Sequence, residues 1–69
     1  MHAVEIITAK IKAQPVNVAY DIVRQLGGGY LACEHERLVR ACAYDAIESR
    51  LGTDAVDALM DEVCPGWRD

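Results

Sequence analysis

Proline and glycine punctuation is the strongest constraint on this chain. Pro15, the Gly27-Gly28-Gly29 run, Gly52 and Pro65 divide it into four stretches, and in each the apolar residues recur at helical spacing. From Ala3 to Ala13, Val4, Ile7 and Ile11 fall on one face. Pro15 ends that helix and suits the first turn of the next, where its missing N–H costs little. Ala19, Ile22, Val23 and Leu26 then follow an i, i+3, i+4, i+7 stripe, which the glycines terminate. The third stretch, about Ala32 to Leu51, is the longest. Leu38, Val39, Cys42 and Ala46 share one broad face, widened by Ala43 and Ile47. Glu34 and Glu36 near its start and Arg50 at its end suit the helix dipole. Gly52 closes it. Thr53 is the expected N-cap of a fourth helix with Val56, Leu59, Met60 and Val63 on its apolar face. Pro65 ends that helix, and Trp67 is expected to fold back on the bundle. The β-branched pieces "VEII" and "VNVAY" are the only candidates for short strands.

The expected fold is therefore all-α, one four-helix domain over residues 1–69. Its expected core is Ile7, Ile11, Ile22, Val23, Leu26, Leu38, Cys42, Ala46, Leu51, Leu59 and Val63. A domain of 69 residues hides only about 60% of the surface its unfolded chain exposes. So small a core favours a partner or a second copy of the chain, and a homodimer is one expected form. A hydrophobic content of 52% excludes a disordered segment. No apolar run approaches the roughly 20 residues that cross a bilayer, so no membrane role is expected. The first residues are not expected to act as a secretion signal, because Glu5, Lys10 and Lys12 interrupt the apolar stretch. Three cysteines cannot complete a disulfide framework, and reduced thiols in a cytoplasm are the simpler expectation.

The net charge of −4 opposes broad phosphate contact and suits a basic protein partner. Searches for chemistry end in structural readings. His2, Cys33, His35, Cys42 and Cys64 lack the paired spacing of a structural zinc site, and Cys42 and Cys64 read as small buried hydrophobes. Cys33 and His35 are two apart, so a helix points them to different sides and no thiol–base pair forms. Gly27–Gly29 lacks both the trailing Lys-Ser/Thr of a phosphate loop and the dinucleotide fingerprint. Asp54, Asp57, Asp61 and Glu62 read as a solvated face of the fourth helix. Arg37 and Arg40 lie on one side of the third helix, within reach of phosphates in a helix-turn-helix arrangement. The turn from Gly27 to Leu31 is longer than that motif uses. No enzyme, cofactor or metal is expected.

In its third and fourth helices the chain resembles the Hha/YmoA family of small bacterial regulators. Tyr44, Ala46, Glu48, Arg50 and Leu51 are similar to that family's Tyr-x-Ala-x-Asp-x-Arg-Leu run. Leu59, Asp61, Val63 and Trp67 are similar to its Leu-x-Asp-x-Ile and late tryptophan, and "AQPVNVAYDIV" to its second helix. The Gly27–Gly29 linker departs from the family's charged one. The resemblance implies four helices and a non-enzymatic protein that binds the dimerisation region of the nucleoid-structuring protein H-NS. It further implies that an acidic side chain at the position of Glu48 holds arginines of that partner.

The leading expectation is a protein–protein interaction module that modulates a transcriptional or nucleoid regulator through an acidic helical edge. Asp45 and Glu48, three apart on the third helix, form that edge, and Arg37 and Arg40 complete the expected partner-binding set. The alternatives are a small phage- or plasmid-encoded inhibitor that occludes a host protein, and a helix-turn-helix DNA binder.

Overall fold

The computed structural model describes residues 3–68 of the chain. Four helices follow in order: α1 (Ala3–Lys12), α2 (Val16–Leu26), α3 (Glu34–Leu51) and α4 (Thr53–Val63). Both β-branched pieces are helical, because burial of one face outweighs the weak β-preference of single residues. No strand occurs among the described residues.

The long helix α3 is the axis of the fold. It packs against each of the other three helices, most extensively α2, whereas α1 and α4 do not meet. The Cα trace measures 36 × 28 × 17 Å, so the molecule is two helix layers thick in its thinnest direction. Contact on several sides explains why α3 carries a wide apolar face. Ala43 and Ile47, placed by their spacing at the margin of that face, are its fully buried centre, beside Cys42 and Ala46. Ala19 and Val23 of α2, Ile11 of α1 and Leu59 of α4 complete the cluster. Three alanines at its heart let the backbones of α2 and α3 approach closely.

Several expected core positions lie at the margin. Ile7, Ile22, Leu38 and Val63 are partly buried and pack against the cluster. Leu51 is 51% exposed and does not belong to the core. It is the last residue of α3, and the chain turns immediately afterwards, so no neighbouring helix covers it. Val4 is likewise 49% exposed, while Thr8, one turn further along α1, is buried in its place.

Gly52 alone separates α3 from α4. Its N–H donates to the Glu48 carbonyl at 2.9 Å, and its φ of 89° and ψ of 173° belong to a region that only glycine adopts without strain. One residue thus ends one helix and begins the next. Thr53 is consequently not an N-cap but the first residue of α4, and no side chain caps that helix. The third helix starts at Glu34, with Cys33 in the capping position and residues 27–33 as the α2–α3 linker. Gly27 caps α2, its N–H donating to Val23 O at 2.8 Å.

Candidate partner-binding surface

Every arginine on the chain holds a partner within the domain. Helix ends and linkers leave carbonyls without intrahelical donors, and a guanidinium with five N–H groups can satisfy several at once. Arg37 donates to Leu31 O at 2.6 Å and to Ala32 O at 3.3 Å. Arg40 donates to Gly27 O and, at 2.7 Å, to Gly29 O. These two side chains fasten the seven-residue linker to α3. Arg50 does the same for the α1–α2 turn, donating to Gln14 O at 2.7 Å and to Lys12 O. Arg24 of α2 meets Glu62 of α4 with two contacts, at 2.7 and 3.2 Å, and lies over the Tyr20 ring.

The expected set of Asp45, Glu48, Arg37 and Arg40 therefore divides. Arg37 and Arg40 face the linker and are occupied there. Asp45 and Glu48 lie one turn apart on the exposed side of α3. Asp45 has Lys12 Nζ at 3.8 Å, with both side chains well exposed. The Glu48 carboxylate has neither hydrogen-bond nor ion-pair partner among the described residues. Lys10 is the only lysine or arginine without a hydrogen-bond or ion-pair partner among them.

The acidic positions of α4 are not equivalent. Asp61 accepts from Trp67 Nε1 at 2.8 Å and from Arg68 Nε at 3.0 Å, which draws the end of the chain back onto the helix. This contact provides the fold-back anticipated for Trp67, which is half-buried. The hydrogen bonds from Arg68 first and Trp67 second hold the Asp61 carboxyl below its ordinary 3.8. The Arg24 contact likewise holds Glu62 below 4.5.

A lowered folded value means that these carboxylates stabilise the fold fully above their unfolded values. That contribution is lost as pH falls through the folded values. The single tryptophan reports the Asp61 contact directly. Between about pH 5 and about pH 2, Trp67 emission is expected to change with a midpoint below 3.8, before far-ultraviolet circular dichroism falls. The Asp61→Asn protein should lack that step. A midpoint above 3.8 would contradict the geometry.

Among the described residues, no three His, Cys, Asp or Glu side chains gather as metal ligands would. His2 lies outside the described residues. Cys33 and His35 are exposed; Cys42 is buried, its Sγ 3.7 Å from Val4 O; Cys64 is half-buried rather than buried. No helix among the described residues is long and apolar enough to cross a membrane.

A depression of about 340 Å³ opens between α1 and α3, lined by Val4, Glu5, Thr8, Ala9 and Lys12 with Asp45 opposite. Thr8 is 8% exposed, and its Oγ1 is buried without a hydrogen-bond partner among the described residues. A threonine one turn from an apolar residue in an otherwise apolar stripe was the available signal. Its meaning depends on how α1 lies on α3, which the spacing within α1 does not determine.

Fold and surface together define a small all-helical domain with an acidic outer edge on its central helix. Compared with models of known families, with curated proteins and with solved structures, the chain has no match.

Proposed function

We propose that the protein is a non-enzymatic interaction module that docks the outer edge of α3, through Asp45 and Glu48, on basic residues of a protein partner. The observation that carries this reading is Glu48, an exposed carboxylate without an internal partner, one turn from Asp45, on a chain whose arginines are all engaged. Charge-assisted pairs between such carboxylates and arginine fix both orientation and specificity. The resemblance to the Hha/YmoA family points to an H-NS-like regulator as that partner, with Glu48 at the position of the family's acidic contact. A helix-turn-helix reading has less support, because the α2–α3 linker runs from Gly27 to Cys33 and holds Arg37 and Arg40 against its own carbonyls.

Affinity capture from lysate with mass spectrometry, on the wild type and Glu48→Lys, tests the proposal. Wild type is expected to recover an H-NS-like regulator. Glu48→Lys should weaken that complex at least tenfold, since charge reversal adds repulsion to the lost pair, while its circular dichroism stays unchanged. Equal affinity of the two proteins would remove Glu48 from the surface. Recovery of an unrelated host enzyme would replace the regulator by the inhibitor reading.

A further inference from the structure

Helix α1 leaves one apolar side bare. It packs on α3, touches α2 lightly and does not meet α4. Ile7, Thr8 and Ile11 take its inward side. Ile6, Ala9 and Ala13 point away from it, and all three are exposed, Ile6 by 40%. Ala13 still follows the helical path, its N–H donating to Ala9 O at 3.0 Å. With about 3.6 residues per turn, these three fall within roughly 60° of arc, and Glu5 and Lys10 stand about 40° beyond its two borders.

The two charges identify the occupant. The side chains of Glu5 and Lys10 have neither hydrogen-bond nor ion-pair partner among the described residues. They lie on opposite flanks of the strip, so neither can satisfy the other within one helix. Five residues is, however, the separation at which flanking charges meet across two parallel helices. With Ile6 and Ala13 at a and Ala9 at d of a heptad, Glu5 is a g residue and Lys10 the e residue that follows it. A two-fold axis along the strip therefore sets each Glu5 against Lys10 of the other copy. Isoleucine at a favours two strands, and the alanines let the two backbones approach closely. An antiparallel pair would instead set Glu5 beside Lys12, which Asp45 already engages, and would leave Lys10 unused.

We propose that this side of α1 is a dimer surface, on which α1 of a second copy packs in parallel, with Ile6, Ala9 and Ala13 as the seam and Glu5–Lys10 pairs on both flanks. The acidic edge of α3 takes no part in this contact, so the two surfaces stand or fall separately. The seam runs only about two helical turns, so the dimer forms at high rather than low protein concentration.

Sedimentation of the full chain from about 1 μM to about 1 mM tests the proposal. A monomer–dimer equilibrium is expected, weakening as salt rises. Ile6→Asp buries a charge in the seam and should leave a monomer with unchanged circular dichroism. Glu5→Lys and Lys10→Glu each place two like-charged pairs in their own dimer, and each should weaken self-association about tenfold. Mixed in equal amounts, these two variants should form a heterodimer within about threefold of the wild-type affinity, because every flanking pair is then attractive. Glu48→Lys should dimerise as the wild type does.

A wild-type monomer across the whole range would overturn the proposal, as would a dimer that survives Ile6→Asp. A dimer indifferent to Lys10→Glu would exclude the parallel arrangement. A mixture of Glu5→Lys and Lys10→Glu that remains monomeric would show that the two side chains do not meet across copies, and that too would overturn it.

Discussion

Leu59→Ala is expected to remove about 2–5 kcal/mol of stability, whereas Leu51→Ala should change it by no more than about 0.5 kcal/mol. Leu59 is 2% exposed in the central cluster, and truncating it leaves a cavity against α3 that packed neighbours can only partly close. At 69 residues the whole domain is worth roughly 3–10 kcal/mol, so the loss is a large share of the total. The urea midpoint should fall steeply with little change in m, because the same surface is still exposed on unfolding. Leu51 leaves only half of its side chain for neighbours to cover. A large loss at Leu51 would mean that something covers the end of α3. A negligible loss at Leu59 would mean that α4 docks by another face.

Both leucines look alike in sequence, and the difference shows what periodicity can and cannot convey. Leu51 follows Ile47 by four residues and so continues its stripe, but a stripe is buried only as far as another helix accompanies it. Gly52 turns the chain at that point. The helices themselves were legible because glycine and proline act locally: each of the four stretches is helical, and Gly27 and Gly52 cap their helices as their positions suggest. Thr53 failed as a cap because a single residue joins α3 and α4 and Gly52 already occupies the position. Ala43 and Ile47 moved to the centre because α3 has neighbours on several sides, which no one-helix pattern records.

The candidate surface was legible in part for the same reason. Asp45 and Glu48 are exposed on one side of α3 because two residues three apart on a helix must share a side. Arg37 and Arg40 share a side too, but spacing says nothing about what stands opposite it. The linker of residues 27–33 stands there, with carbonyls that lack donors, and the guanidinium groups satisfy them. Thr8 and the depression above it belong to the relative placement of two helices far apart in sequence.

Gly28→Ala is expected to destabilise the domain by about 1–3 kcal/mol, while Gly29→Ala, the adjacent substitution, should change stability only slightly. A Cβ on Gly28 would lie 2.5 Å from Cys64 Cβ and 2.6 Å from Val63 O, at the end of α4. Both neighbours are held: the Cys64 N–H donates to Met60 O at 2.8 Å, and Val63 packs against the core. The linker cannot retreat freely either, because Arg40 grips the carbonyls of Gly27 and Gly29 on both sides. A methyl group at residue 28 must therefore push α4 outward or break the Arg40 contacts. At Gly29 an added Cβ meets nothing within 4 Å, and its φ lies outside the region reserved for glycine. Urea melts of the two variants check the claim, and Arg40→Ala separates its two causes. If the fastening matters, Gly28→Ala should cost less in the Arg40→Ala background, because the released linker can then give way. Equal costs in both backgrounds would place the strain in α4 alone, and equal costs at residues 28 and 29 would show that the linker does not approach α4 this closely.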